Sequence, residues 1–300
     1  MRGFVTIATG NDAYYQLAAN LLHSYRLYAA DDTPFAIICD RETEQTKAFD
    51  DVILMEEANC SYMDKLLLYH YTPYDETIFI DADSLILSDP SGVWDDFADA
   101  DDVSCYGCRY PLDSDRAWFS YDGIGVYKDK VSFLIDLHGG IYYLRKTERC
   151  MSIFEKAIEL AGEYQKYSFK NFQNPADEPV LALSMAIHHS IPCEKPARVI
   201  FLPSYWDCIA VTPAGEVRLK KQTCTREILH LATANTRRFV YRYLVEVNQR
   251  QQGSVLAYLR MWALTLPTEI KMGFRHKAGQ LARHILPASL VTEIKIFLHK

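Results

Sequence analysis

Short strand-like runs alternate with helix-like segments through the first half of this 300-residue chain. Residues 4–8 form an apolar run that predicts a strand, and apolar residues then recur at spacings of three and four from Tyr14 to Tyr25, which predicts a helix. The alternation continues with predicted strands at residues 35–39, 52–55 and 77–80, and with a helix around residues 61–71. This pattern is typical of an α/β domain with a mostly parallel sheet flanked by helices.

The second half is less regular but has recognisable elements. It contains predicted strands at residues 139–143 and 226–231, helices at 149–164 and 177–188, and a hairpin pairing 208–211 with 217–219. Helical spacing returns at residues 255–266 and 281–298, the latter interrupted at Pro287. We therefore expect an α/β domain at residues 1–236 and a helical C-terminal region at residues 237–300.

Composition narrows the function classes. No apolar run reaches the length of about 18–20 residues that a transmembrane helix needs, and residues 4–8 already resemble a strand, which leaves no room for a signal peptide before them. We therefore expect a cytoplasmic protein. The eight cysteines are scattered, and the Cys105/Cys108 pair lacks the second ligand pair of a structural zinc site, so free thiols are predicted.

The charge of the chain is unevenly distributed. From Arg237 onward there are eleven Lys/Arg and three Asp/Glu residues, whereas the preceding residues carry a net charge of −15. The acidic body argues against a nucleic-acid partner. The basic tail, whose apolar helical positions are edged by Lys and Arg, predicts helices that lie on the anionic inner face of a membrane. The alternative is a pair of helices packed on the domain with a solvated basic face.

The Asp81-Ala82-Asp83 triplet directly follows the predicted strand 77–80 and precedes the apolar run 85–87. Carboxylates beside a core are costly unless they are paired or bind a metal. Two such groups one residue apart can hold a divalent cation, and that cation can hold a diphosphate. The triplet therefore predicts a nucleotide-sugar transferase. The alternatives are a turn or helix cap, a phosphatase with Asp81 as nucleophile, and a non-catalytic nucleotide-sugar-binding protein.

Four segments together resemble the glycogenin-like glycosyltransferases of family 8, which include bacterial lipopolysaccharide galactosyl- and glucosyltransferases. The segments are residues 4–14, residues 63–85 with Lys65 sixteen positions before Asp81, the Asp177-Glu178-Pro179-Val180-Leu181 segment, and residues 228–231. The resemblance covers about residues 1–236. It implies the GT-A nucleotide-diphospho-sugar transferase fold, with the basic C-terminal region as a helical appendage.

The resemblance also implies a metal and a donor. Asp81, Asp83 and His230 would ligate Mn²⁺ or Mg²⁺, and their mixed oxygen and imidazole ligands favour Mn²⁺. The donor would be a UDP-sugar, with Thr9, Asn11 and Tyr14 contacting the uridine and Tyr14 stacking on the base. From the residues alone, a core histidine is the favoured interpretation of His230, and its position at a strand end together with the resemblance raises the metal-ligand interpretation to equal standing. Asn11 or Asp12 is also compatible with a helix N-cap.

Catalytic roles follow from the same resemblance. Lys65 would offset the charge of the leaving diphosphate, and Asp177 would contact donor hydroxyls or stabilise positive charge at the anomeric carbon; a surface lysine and a helix N-cap are the alternatives. The remaining donor-site residues implied are Ala82, His138, Gly139, Gly140 and Glu178. His138 stands where relatives have an amide, Glu178 stands where they have Gln, and Gly10 is an extra residue in the first turn.

The predicted function is therefore a metal-dependent, retaining transfer of a hexose from a UDP-sugar to an acceptor hydroxyl. The expected acceptor is a glycan or glycolipid of bacterial lipopolysaccharide or another surface polysaccharide.

Overall fold

The computed structural model describes residues 1–169, 175–202, 209–219 and 226–285, with side chains described as far as residue 273. The chain forms two compact units. The first consists of Met1–Leu202 and Cys224–His230, and the second of Pro203–Thr223 and Leu231–Lys300. The boundary between residues 236 and 237 expected from the sequence stays a prediction.

The elements of the described residues follow the alternation expected from the sequence. In chain order they are β1 (Arg2–Ala8), α1 (Asp12–Tyr28), β2 (Phe35–Cys39), β3 (Asp51–Leu54), a 3-10 helix (Tyr62–Leu67) continuing into α2 (Leu68–Tyr71), β4 (Glu76–Ile80), β5 (Ser84–Ile86), α3 (Gly92–Asp96), β6 (Val103–Tyr110), a 3-10 segment (Tyr121–Lys130), β7 (Leu134–Arg145), α4 (Glu148–Gly162), α5 (Asp177–Ile187), β8 (Val199–Leu202), β9 (Ile209–Val211), β10 (Val217–Leu219), β11 (Ile228–Leu231), α6 (Phe239–Arg250) and α7 (Val255–Ile285).

A six-stranded mixed sheet forms the centre of the first unit, in the order β3-β2-β1-β4-β7-β6. The strands from β3 to β4 are parallel, whereas β7 is antiparallel to both β4 and β6. A second, three-stranded sheet has the order β5-β11-β8. Because β1 and β4 are parallel neighbours, their carboxyl ends lie at the same edge of the sheet, where ligands bind in open α/β folds.

Both faces of the central sheet are buried, which explains why its strands are apolar runs rather than alternating ones. On one face Val5 belongs to a large core cluster shared with α4, α5 and the 3-10 helix Tyr62–Leu67. On the other face Phe4 contacts Tyr25 and Trp94, each with a centroid separation of 5.3 Å. Helix α1 begins where the side chain of Asn11 accepts a hydrogen bond from the amide of Ala13, so the N-cap predicted for this turn is present.

The second unit pairs a hairpin with two helices. Strands β9 and β10 are antiparallel, and α6 packs against α7 through the aromatic side chains of Phe239, Tyr243 and Tyr258. None of the described helices is long and apolar enough to cross a membrane.

Most predicted elements are confirmed, and two predictions need correction. Strand β7 spans twelve residues rather than the five predicted at 139–143, because its pairing with β4 and β6 extends it in both directions. Helix α7 is continuous from Val255 to Ile285, so the gap predicted after residue 266 is wrong. Pro267 removes one helical hydrogen bond, but Glu269 just beyond it forms an ion pair with Arg238, which holds the following turn on α6. Residues 286–298 of the predicted last helix lie outside the described residues.

The six described cysteines are free thiols, as predicted, and these include Cys105 and Cys108.

Candidate active site

The Asp81-Ala82-Asp83 triplet forms the tight connection between β4 and β5. The amide of Asp81 donates to the carbonyl of Gly140 at 3.0 Å, and the amide of Ser84 donates to the carbonyl of Asp81 at 3.0 Å. Strand β11 pairs with β5 so that His230 lies opposite Ser84. The backbone pairing of three strands therefore brings the two acids and the histidine together.

Asp81, Asp83 and His230 form a three-residue cluster whose ligand atoms all lie within 4.8 Å of one another. The Nε2 atom of His230 is 3.2 Å from Oδ1 of Asp83 and 3.6 Å from Oδ2 of Asp81. The opposite ring nitrogen, Nδ1, is buried and has no hydrogen-bond partner. Two carboxylates and one imidazole nitrogen this close together can hold a divalent cation. Ala82, between the acids, is buried.

Without a metal, His230 itself neutralises this cluster. Burial lowers the pKa of His230, but hydrogen bonds to Asp81 and Asp83 and their negative charges outweigh burial and raise the pKa to about 10. Burial raises the pKa of Asp81, but Lys65 and His230 outweigh it and lower the pKa to about 2. Burial and the neighbouring charge of Asp81 raise the pKa of Asp83. A cation that enters must therefore displace the proton of His230.

Lys65 is a fixed cation beside this cluster. Its side chain is only 10% exposed, and Nζ donates to Oδ2 of Asp81 at 2.9 Å and to the carbonyl of Gly139 at 3.2 Å. Nζ also lies 3.4 Å from Oδ2 of Asp177. Burial lowers the pKa of Lys65, but the negative charges of Asp177 and Asp81 outweigh burial and raise it above the usual value. Lys65 is thus charged and buried, which excludes the surface-lysine alternative.

Asp177 is the first residue of α5 rather than its N-cap, which is Ala176. Its carboxylate is buried and accepts a hydrogen bond from the hydroxyl of Tyr142, on the neighbouring strand β7. Burial raises the pKa of Asp177, and the charge of Lys65 opposes this rise. A negative group in the first turn of a helix is also favoured by the helix dipole. Asp177 therefore lies in the same buried charge network as Lys65 and Asp81.

Gly139 and Gly140 leave room for two functional side chains. A Cβ atom on Gly139 would lie 2.6 Å from Cγ of Glu178, and one on Gly140 would lie 2.5 Å from Nδ1 of His230. The amide of Gly139 donates to Oε1 of Glu178 at 2.6 Å. Burial and the charge of Asp177 raise the pKa of Glu178 to about 7. The glycine pair therefore admits both an imidazole and a carboxyl group that titrates near neutrality.

His138 lies beside this pair and stacks on Phe201, with ring centroids 3.8 Å apart and an interplanar angle of 14°. Phe201 also meets His230 edge-on at 5.7 Å. Burial and the neighbouring His230 lower the pKa of His138 to about 4, so its imidazole is neutral near pH 7. Sequence analysis did not identify Phe201, since a lone phenylalanine in an apolar strand carries no local signal.

Thr9, Asn11 and Tyr14 lie at and after the carboxyl end of β1, next to the end of β4 that leads into the triplet. The hydroxyl of Thr9 donates to Oδ2 of Asp64 at 2.7 Å, and Asn11 caps α1. The donor capacity of the Thr9 hydroxyl is therefore already used, whereas the ring of Tyr14 is partly exposed.

Tyr62 is a second aromatic residue at this place that sequence analysis missed. In a 3-10 helix the side chains at positions i and i+3 eclipse, so Tyr62 lies above the buried Lys65. Tyr62 is 57% exposed. Burial, Tyr14 and the acidic triplet raise the pKa of Tyr62, whereas Lys65 lowers it, so the phenol lies near both parts of the site.

No protein-family model matches the chain, and neither does any curated protein sequence. Among solved structures, the galactosyltransferase LgtC in complex with donor and acceptor sugar analogs has a TM-score of 0.52 and 15% sequence identity, covering 83% of this chain and 94% of its own. The glycosyltransferase GlyE of Streptococcus pneumoniae TIGR4 covers 91% of this chain and 65% of its own, with 11% identity and a TM-score of 0.49.

Mouse xyloside xylosyltransferase 1 covers 78% of this chain and 98% of its own, with 10% identity and a TM-score of 0.44. At these identities, likeness shows the fold and not the reaction. The likeness to LgtC, together with the mixed, mostly parallel sheet flanked by helices, confirms the predicted fold. The chain has the GT-A fold of glycosyltransferases.

Replacing Gly140 with alanine should displace His230 and weaken metal binding. The added methyl group would lie 2.5 Å from Nδ1 of His230, and disturbing the support of a ligand typically costs about 10–100-fold in metal affinity. We expect a loss of that size in Mn²⁺ affinity, measured by titration with electron paramagnetic resonance detection. Gly162→Ala is the matched control, because nothing lies within 4 Å of its Cβ position. Equal Mn²⁺ affinity in the two variants would show that the space beside Gly140 does not position His230.

Glu178 should make stability depend on pH in the metal-free protein. Folding raises the pKa of Glu178 from 4.5 to about 7. Its carboxyl group therefore stabilises the fold fully below about pH 4.5, and this contribution is lost as the pH rises through about 7. The pKa difference corresponds to a loss of about 3 kcal/mol.

Glu178→Gln lacks this titration and keeps an oxygen that accepts from the amide of Gly139. In EDTA, the melting temperature of Glu178→Gln should exceed that of the wild type by a few degrees more at pH 8 than at pH 5. The same difference at both pH values would show that Glu178 does not titrate in this range.

Proposed function

We propose that this chain is a metal-dependent glycosyltransferase that transfers a hexose from a UDP-sugar to a hydroxyl of a glycan or glycolipid acceptor. The observation that carries this proposal is the convergence of Asp81, Asp83 and His230 beside the buried Lys65, at the carboxyl edge of a GT-A sheet. In open α/β folds this edge is where ligands bind.

The diphosphate of the donor would bind at the metal cluster. A divalent cation held by Asp81, Asp83 and His230 would neutralise negative charge on the leaving diphosphate. Mn²⁺ is the proposed ion, because the ligands mix carboxylate oxygens with imidazole. Lys65 contributes a second positive charge whose position is fixed by Asp81 and the carbonyl of Gly139. A preorganised cation costs no reorganisation when charge develops on the diphosphate in the transition state.

The uridine would lie at the turn after β1, with Tyr14 stacking on the base and the exposed side chain of Asn11 donating to it through Nδ2. Tyr62, exposed above Lys65, supplies a second aromatic face between the nucleoside end and the diphosphate end. Thr9 is left with acceptor capacity, because its hydroxyl proton goes to Asp64.

The donor sugar would lie against Gly139 and Gly140, within reach of His138, Asp177 and Glu178. The Asp177 carboxylate is held by Tyr142 and by Lys65, so its proposed role is to orient donor hydroxyls and stabilise positive charge at the anomeric carbon. We propose retention of configuration, with the acceptor hydroxyl attacking from the face that the diphosphate leaves.

The proposed place of action is the cytoplasmic face of a membrane, on acceptors of bacterial lipopolysaccharide or surface-polysaccharide type. Helix α7 packs on α6 through Tyr258, which contacts Phe239 and Tyr243, and its Ala257, Met261 and Thr265 are buried. Large apolar side chains elsewhere on the helix are exposed; these are Val255, Leu256, Leu259, Trp262, Leu264 and Ile270. The eleven basic and three acidic residues from Arg237 onward give this region a net positive charge that would attract it to anionic lipid.

Binding of UDP tests the proposed function directly. Isothermal titration of UDP into the full chain with Mn²⁺ should show binding that EDTA abolishes and that Asp83→Asn weakens at least about tenfold, because one carboxylate ligand loses its charge. Asp122→Asn, an exposed aspartate paired with Lys128, is the control and should bind as the wild type does.

Binding should be followed by release of UDP from a UDP-hexose. If UDP binds and no UDP-sugar is turned over with any glycan acceptor or water, the chain is a nucleotide-sugar-binding protein. If UDP does not bind under any condition, the transferase proposal fails, and trapping of a phosphorylated Asp81 then tests the phosphatase alternative.

Membrane binding by α7 is tested with vesicles. The full chain should co-sediment with vesicles containing 30% phosphatidylserine, about tenfold more than with neutral vesicles, and Trp262→Gln together with Leu259→Gln should remove most of that binding. Ile158→Gln, an exposed apolar residue of α4, is the matched control. Unchanged binding of the double variant would rule out this helix as the contact surface.

A further inference from the structure

The turn between β1 and α1 contains a glycine in the left-handed region, Gly10, at φ +76°. Both polar groups of this residue are held by side chains that follow β2. Its amide donates to Oδ1 of Asp40 at 3.0 Å, and its carbonyl accepts from Nη1 of Arg41 at 2.9 Å. The extra residue of this turn is therefore fixed on both sides of its α-carbon.

Asp40 and Arg41 also hold the residues around Gly10. Asp40 accepts a hydrogen bond from the hydroxyl of Tyr15. Arg41 donates to Oδ2 of Asp40 at 3.0 Å and to Oδ1 of Asp12 at 2.6 Å, and its guanidinium lies 4.6 Å from the ring centroid of Tyr15. A single arginine thus bridges the turn, the first residue of α1 and an aromatic side chain one residue after Tyr14.

The opposite side of the turn is tied to the segment that carries Lys65. Asp64 is fully buried and accepts from the hydroxyl of Thr9 at 2.7 Å, from the amide of Asn59 at 2.8 Å and from the amide of Ser61 at 3.3 Å. Asp64 directly precedes Lys65. The turn is therefore anchored by a buried carboxylate on one side and by a half-exposed arginine on the other.

We propose that Arg41, acting through Asp40 and Gly10, is a positioning residue that holds the turn of residues 9–12 in the conformation that binds the nucleoside of the donor. This inference rests on the proposed function. The ion pair between Arg41 and Asp12 adds little to the free energy of unfolding, because these side chains are 39% and 93% exposed and exposed ion pairs contribute little stability. Stabilisation of the fold by this pair is therefore a weak explanation for the presence of Arg41.

The expected consequence is confined to binding. A glycine turn released from its partners samples more conformations, and a binding-competent state that is only fractionally populated lowers the apparent affinity by that fraction. None of the described contacts of Arg41 involves Lys65, Asp81 or Asp177, so the rate of the chemical step should be unaffected.

The test compares Arg41→Gln with Arg26→Gln in the full chain. Arg26, in the last turn of α1, donates to the carbonyl of Ala48 and lies 3.4 Å from Asp50, and its side chain is 50% exposed. The Arg26→Gln variant therefore loses contacts similar to those of Arg41, but at the opposite end of α1 from the turn. We would measure the dissociation constant of UDP with Mn²⁺, the KM and kcat for the donor, and amide hydrogen exchange of residues 9–14 without ligand.

We expect Arg41→Gln to raise the dissociation constant and the KM about tenfold, to leave kcat within twofold, and to speed exchange in the turn. Arg41→Lys, which keeps the charge but not the forked geometry, should recover part of the affinity, and Arg26→Gln should match the wild type. If the wild type binds UDP and Arg41→Gln binds it with the same affinity, the inference fails while the proposed function stands. The same holds if Arg26→Gln loses as much affinity as Arg41→Gln does. Absence of UDP binding in the wild type would instead overturn the proposed function on which it rests.

Discussion

Four carboxyl groups and two cationic side chains share the buried space beyond strand β4. The acids are Asp81, Asp83, Asp177 and Glu178, and the cations are Lys65 and His230. Fully ionised, the acids exceed the cations by two charges, and burial makes such an excess costly. The protein alone relieves it by raising the pKa of three of the acids. A divalent cation that displaces the proton of His230 would leave an excess of one negative charge instead of two, which is the physical reason that we propose a metal at this place.

The scaffold provides this arrangement through backbone pairing rather than through local sequence. The antiparallel strand β7 pairs with β4 so that Gly139 and Gly140 lie beside the end of β4. Strand β11 pairs with β5 so that His230 lies beside the start of β5. Any side chain larger than hydrogen on the two glycines would collide with Glu178 or His230. The same buried network also fixes Lys65, whose 3-10 helix is tied by Asp64 to the turn after β1. Hydrogen bonds through Asp64 and Lys65 thus connect the proposed positions of the metal, the diphosphate and the nucleoside.

Sequence reasoning recovered what is encoded locally. The alternating strands and helices of the first half follow from hydrophobic periodicity, and the acidic triplet was recognisable because carboxylates rarely sit between apolar runs. The features that sequence reasoning missed depend on long-range contacts. Phe201 contacts His138 and His230 only in the folded protein, and Arg41, after β2, contacts Gly10, after the neighbouring strand β1. Helix α7 likewise continues through Pro267, where the local sequence predicts a break, and Glu269 just beyond the proline pairs with Arg238, thirty-one residues away in sequence.

We propose that His230 and the acidic triplet form one metal site. Electron spin-echo envelope modulation of Mn²⁺ bound to the full chain tests it most directly, because the method detects nitrogen nuclei in the coordination shell. We expect coupling to a histidine nitrogen that changes when histidine is labelled with ¹⁵N and disappears in His230→Gln. Bound Mn²⁺ without nitrogen coupling, or with coupling that persists in His230→Gln, would contradict it.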